Sequence, residues 1–171
     1  ATFFKDGLSN HLKLRAEGNE FMDELTIYFR EDATNNYEWE LEAENWTSMI
    51  EEATEIWTVS NDGFLLSTNA LPPMGTEMVT VPMSFKCGAE GDYSISGLHM
   101  DSFEPGTEIF IEDLVTGEEW HNLVQEPTYT FTATPDDPQE RFLVHFFGPT
   151  GIEDPGAAEE AIRIYSHKEY A

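Results

Sequence analysis

Two classes of side chain in this 171-residue chain could do chemistry: carboxylates and aromatic rings. There are 34 Asp and Glu against 8 Lys and Arg, giving a formal net charge of −26. A pair of carboxylates can hydrolyse a glycosidic bond, but only at a spatial separation of about 5–10 Å. Among so many acids, no pair chosen by sequence spacing is informative. Oxygen ligands in this number also suit Ca2+. Glu31-Asp32-Ala33-Thr34-Asn35-Asn36 and Pro135-Asp136-Asp137 are candidate loops, and neither has the EF-hand pattern. Asp32 and Asn35 read more simply as turn formers whose side chains bond their own backbone. No cofactor is therefore assigned, with Ca2+ kept only as a candidate.

The aromatic lead is a platform for stacking sugar rings, since an indole offers an apolar face and a polar N–H edge. Trp46 and Trp120 stand among polar residues, in Glu44-Asn45-Trp46-Thr47 and Glu118-Glu119-Trp120-His121. These two are expected to be exposed and are the candidate ligand-binding residues. Trp39 and Trp57 occupy alternation positions and are expected in the core. The five histidines (His11, His99, His121, His145, His167) lack ligand-like spacing, so each is read as structural. Cys87 is the lone cysteine. It excludes an intrachain disulfide and reads as a buried small hydrophobe. Gly-x-Ser-x-Gly, His-Glu-x-x-His, Gly-Lys-Ser/Thr and dinucleotide motifs are absent from the sequence. The expectation is a protein that is not an enzyme.

The charge balance argues against nucleic acid and anionic membrane surfaces, because a phosphate backbone needs a basic patch to displace its counterions. Hydrophobic residues make up 40% and aromatics 13%, enough to build a core rather than a disordered acidic tail. No apolar run reaches the roughly 18 residues of a membrane-spanning helix, so membrane insertion is not expected.

The elements that must position these residues are strands. Period-two alternation recurs in Leu12/Leu14, Leu25/Ile27/Phe29, Val79/Val81/Met83/Phe85, Tyr93/Ile95, Ile109/Ile111, Tyr129/Phe131/Ala133 and Phe142/Val144/Phe146. Turn chemistry punctuates these runs, including Asn61-Asp62-Gly63, Glu104-Pro105-Gly106 and Thr116-Gly117. Strands at such spacing predict an all-β fold, an antiparallel β-sandwich of jelly-roll or immunoglobulin-like type. Asp62-Gly63 predicts a tight hairpin with positive φ at both residues, and Thr116-Gly117 predicts a second. Glu38, Glu40, Glu42 and Glu44 alternate with Trp39, Leu41 and Ala43, the pattern of a half-buried strand. Thr128–Ala133 is expected to pair with Arg141–Phe147 in a closing meander. Phe29, Phe85, Ile95, Phe103, Ile111, Phe131 and Phe146 are the expected core.

The segments LKLRAEGNEFMDELTIYFREDATNNYE, LLSTNALP, VPMSFKCGAEGDYSISGLHMDSF, IFIEDLVTGEEWHNL and YTFTATPDDPQERFLVHF occur in that order. Together they resemble a β-sandwich module of large secreted and surface proteins of the Bacteroidetes, one that precedes a C-terminal sorting domain of the type IX secretion system. The resemblance covers roughly Leu12 to Phe147. It implies export, attachment at the cell surface, neighbouring domains of a parent protein as partners, and no catalytic residues. The closing IRIYSHKEYA resembles the first strand of such a sorting domain. The expected organisation is a module over 1–152, a linker over 153–160 and a truncated sorting domain over 161–171. The chain opens Ala-Thr-Phe-Phe without a signal-peptide pattern and its end reads as a cut. The expected role is structural or adhesive, extracellular and surface-attached. The alternative is a carbohydrate-binding module, possessing Trp46 and Trp120 as stacking residues and a polysaccharide as partner.

Overall fold

A computed structural model describes residues 9–149. The expected linker and sorting-domain strand lie outside the described residues. The alternating segments form β1 (His11–Gly18), β2 (Phe21–Phe29), β3 (Ala43–Glu44), β4 (Glu55–Val59), β5 (Leu65–Leu71), β6 (Val79–Lys86), β7 (Gly91–Leu98), β8 (Glu108–Asp113), β9 (His121–Asn122), β10 (Thr128–Ala133) and β11 (Phe142–Phe147). The fold is all-β, and the only helical element among the described residues is a 3-10 turn, Met100–Ser102. Hydrogen bonding orders the strands β10-β7-β1-β2-β5-β4-β6-β11-β8-β9, with β3 added to β5 off this path.

The sheet curls until its ends approach each other. Phe85 of β6 packs edge-on against Phe131 of β10 at 5.0 Å and Phe142 of β11 at 6.1 Å between ring centroids. Phe29 of β2 meets Phe146 of β11 at 5.0 Å. The strands thus enclose one nearly continuous core. It contains all seven expected core residues together with Leu12, Leu14, Leu25 and Ile27. Each such side chain, once buried, contributes roughly 1.5–3 kcal/mol of transfer free energy. Cys87 is buried as expected, and burial pushes its thiol pKa up.

A polar clasp joins the ends of the strand path. Arg141 is almost fully buried. Its Nε and Nη2 donate to the two carboxylate oxygens of Asp113 at 3.0 and 2.9 Å, and Nη1 donates to Asp137 at 3.1 Å. The guanidinium lies 4.6 Å from the Phe131 ring centre. Tyr129 of β10 donates its hydroxyl to Asp113 at the end of β8, 2.9 Å away. Desolvation is the main reason its phenol pKa is pushed up to about 12.

Three expectations about strand arrangement are corrected. Not every pair is antiparallel: β2 and β5 run parallel, with Thr26 opposite Thr68 and Phe29 opposite Leu71. The sheet is mixed because the connection after Phe29 is long enough to cross over, and the β4–β5 hairpin then turns the chain back into the direction of β2. The expected β10–β11 meander does not form either. β10 pairs with β7, whereas β11 inserts between β6 and β8. The 134–141 connection, held by the Arg141 clasp, carries the chain from β10 at one end of the path to β11 in the interior of its far half. At the Asn61-Asp62-Gly63 hairpin, only Gly63 takes positive φ (92°). The Asp62 carboxylate instead accepts from the Ser60 hydroxyl at 2.7 Å and the Tyr37 N–H at 2.8 Å. The expected hairpin over Thr116-Gly117 is present, with β8 paired to β9.

Candidate functional site

The Glu-rich stretch before β3 is not the half-buried strand that its alternation predicts. Leu41 N–H and Glu42 N–H both donate to the Glu38 carbonyl, closing a turn. The Glu42 carboxylate accepts from Glu38 N–H at 2.7 Å and from Ala70 N–H of β5 at 3.1 Å. Side chain-to-backbone bonds of this kind compete directly with a sheet ladder, and here they leave only Ala43–Glu44 as strand. Burial of the Glu42 carboxyl raises its pKa despite those two donors.

The turn changes where the tryptophans go. Trp39, expected in the core, is 76% exposed, and Trp46 is 87% exposed as expected. Trp57, also expected in the core, is only half-buried. Met49 is fully exposed, with Ile50, Val59, Phe64 and Leu65 also open to solvent.

These residues are gathered by backbone contacts rather than by one element. Asn45 N–H donates to the Leu65 carbonyl at 2.8 Å, placing the chain at Trp46 beside β5. Val59 faces Leu65 across the hairpin. Tyr37 stacks on Phe64 with ring centroids 4.5 Å apart. The Glu55 carboxylate accepts from Ser48 N–H and fixes the 48–50 segment against β4. Behind that segment, Gly88 lets the backbone pass closely: a Cβ there would meet the Glu52 Cα at 2.2 Å. On the other flank, Thr54 donates to the Gly18 carbonyl, and Ile56 N–H donates to the Asp23 carboxylate at 2.9 Å. The result is a set of exposed apolar and aromatic side chains distributed around β3 and the β4–β5 hairpin.

Beside this face, a groove of about 570 Å³ runs over the outer side of β1, β2 and β5. His11, Lys13, Tyr28, Leu41 and His99 are among its lining residues. The two imidazoles stack at 4.9 Å, and Lys13 pairs with Glu24 at 3.2 Å.

Trp120 lies elsewhere. It is half-buried rather than fully exposed, and its indole stacks on the His145 imidazole at 3.8 Å and 9°. His145 belongs to β11, three strand steps from β5 in the sheet order. At about 4.8 Å per strand, that is roughly 14 Å along the sheet. The two candidate stacking residues therefore do not form one platform.

The Trp120 stack covers the imidazole of a relay that sequence spacing did not reveal, whose hydroxyl end, Thr80, is exposed. His145 is buried, with Nδ1 2.8 Å from the Thr80 hydroxyl and Nε2 2.7 Å from the Glu112 carboxylate. Thr80 and His145 are cross-strand partners of β6 and β11, and Glu112 comes from β8. A hydroxyl, an imidazole and a carboxylate in this order could in principle activate the hydroxyl as a nucleophile. Acyl transfer also needs room for substrate and donors for the developing oxyanion. Here the imidazole is roofed by Trp120, and its strand lies laddered between β6 and β8. The geometry accounts for the relay as a cross-strand tie.

Among the described residues, no three His, Cys, Asp or Glu side chains converge as metal ligands. Asp32 pairs with Arg30. It is Thr34, rather than Asn35, that bonds nearby backbone in that loop. Asp137 caps Thr134 N–H at 2.9 Å and pairs with Arg141. No described helix is long and apolar enough to cross a membrane.

A family model described as "Domain of unknown function (DUF8693)" matches residues 10–146. No curated protein and no solved structure matches the chain.

Proposed function

This chain belongs to the DUF8693 family, and we propose that it is a non-catalytic adhesive module of a secreted or surface-attached bacterial protein. The observation that carries this reading is the exposure of Trp39, Trp46 and Met49 in the segment that runs along the β4–β5 hairpin, together with Phe64 of that hairpin, on which Tyr37 stacks. Large aromatic groups are rarely left open in one place on a soluble domain unless they meet a partner. In this reading the curled sheet is a flattened sandwich, with β10, β7, β1 and β2 facing β6, β11 and β8. The ring contacts of Phe85 with Phe131, and of Phe29 with Phe146, support that arrangement. Neighbouring domains of the parent protein are its covalent partners, and the β3 face meets an external one.

The carbohydrate-binding alternative draws on the same exposure of Trp46. Its second ring would be Trp39, since Trp120 already carries His145 on one face.

The test is retention of the full chain on immobilised neutral polysaccharides and on polypeptides. Retention lost in the Trp39→Ala/Trp46→Ala variant and kept in Trp120→Ala is the expected result. Turnover of an activated ester that disappears in Thr80→Val would overturn the non-catalytic reading.

A further inference from the structure

We propose that the face around β3 binds a cationic polypeptide segment, with Lys or Arg side chains lying over Trp39 and Trp46 and against neighbouring carboxylates. The inference rests on the adhesive reading and gives it a class of partner.

The argument starts from what surrounds the exposed rings. Residues 31–85 contain eleven Asp and Glu and no Lys, Arg or His. This stretch supplies the whole exposed face, from Tyr37 through Leu65. Glu40, Glu44, Glu51 and Glu52 are themselves exposed, and none of them forms an ion pair among the described residues. The cations that are described are engaged elsewhere or at the margin. Lys13 and Arg15 pair with Glu24, Arg30 with Asp32, Arg141 with Asp113, and Lys86 with Glu55.

An apolar face set in uncompensated negative charge selects among occupants. A second copy of this chain brings a charge of −26 to meet −26, and like-charge juxtaposition opposes that encounter. A neutral sugar would stack on the indoles but gain nothing from the missing cations. A Lys or Arg side chain uses both features. Its aliphatic stem covers apolar surface, while its head is attracted to the face of an indole and to carboxylates. The charge field also speeds the encounter of such a partner.

The experiment titrates the full chain with an amidated octa-arginine peptide, with octa-glutamate as control, and follows affinity calorimetrically at two salt concentrations. The Trp39→Ala/Trp46→Ala variant keeps the net charge, so nonspecific ionic attraction survives in it. The expected result is at least about a tenfold loss of affinity in that variant, the scale of two cation–π contacts. A second pair of variants separates position from charge. Glu40→Gln/Glu44→Gln is expected to weaken binding more than Glu118→Gln/Glu119→Gln, which removes the same charge near β9. Thermal unfolding of each variant verifies that it is folded. Octa-arginine binding that is indifferent to the two indoles, or equal in the two glutamine variants, overturns the inference. If a neutral polysaccharide then binds through Trp39 and Trp46, the adhesive reading survives without it. If neither probe binds at this face, both fall.

Discussion

Replacing Arg141 by Met tests the physical account of the fold most severely. The side chain is almost fully buried and makes a two-pronged contact with Asp113, a third bond to Asp137, and ring contacts with Phe131 and Phe142. Methionine keeps much of the apolar packing and removes the charge. Asp113 is then left buried, with Tyr129 O–H and Val115 N–H as donors and no cation. Stranding one member of a buried pair costs about 3–5 kcal/mol. For a domain of this size, such a loss lowers Tm by about 10 °C. Urea unfolding at pH 7, fitted for both midpoint and slope, measures it. The double variant Arg141→Met/Asp113→Asn removes the orphaned charge and keeps an acceptor for Val115 N–H. It should therefore be more stable than Arg141→Met alone. A single variant within about 1 kcal/mol of the parent would refute the reasoning, as would a double variant less stable than the single.

Three further outcomes follow from the same geometry. Glu42→Ala removes the acceptor for Glu38 N–H and Ala70 N–H, and should cost about 1–3 kcal/mol while altering Trp39 fluorescence; unchanged emission and stability would show that the turn does not depend on it. Asp23 has its pKa raised above 3.8 because burial, with lesser contributions from the Glu55 and Glu24 charges, outweighs its two backbone donors. Between the unfolded and folded values the folded state holds a proton that the unfolded state has lost, so stability from this group falls as pH rises through that interval; paired urea titrations should show the parent losing stability relative to Asp23→Asn, which lacks this ionisation, as pH rises through it, and parallel profiles would count against it. The phenols of Tyr93 and Tyr129 are both pushed up to about 12, mainly by desolvation. Unfolded tyrosines ionise near pH 10, so stability should fall between about pH 10 and 12, and absorbance at tyrosinate wavelengths should show two late phenols that titrate with unfolding.

The strands were legible because burial on one face imposes period two, and Leu12, Leu14, Val81, Met83, Phe131 and Phe146 all obey it. The Gly63 and Gly117 turns were legible for a similar reason, since positive φ favours glycine. What period two does not encode is which strand lies beside which. The parallel β2–β5 pair and the separation of β10 from β11 follow from a crossover and from the 134–141 connection that the Arg141 clasp holds, and no local pattern announces either. The Glu38–Glu44 alternation misled because Glu42 turns its carboxylate onto backbone N–H groups, converting a strand pattern into a turn and releasing Trp39 to solvent. Trp46 was found through its polar neighbours. Trp120 has similar neighbours, yet His145 claims one face of its indole. The Thr80–His145–Glu112 relay joins three strands whose neighbourhood is fixed only by the sheet order, so sequence spacing carried no sign of it.

The four tryptophans give the central claim a direct reading. Each indole N–H yields a separate proton–nitrogen NMR signal, assignable by the single Trp→Phe variants. Octa-arginine should be added to the labelled full chain in increasing amounts at fixed salt. If the β3 face is the binding surface, the Trp39 and Trp46 signals move together along one saturation curve, while those of Trp57 and Trp120 move much less. Shifts led by Trp120, or spread evenly over all four indoles, would contradict it.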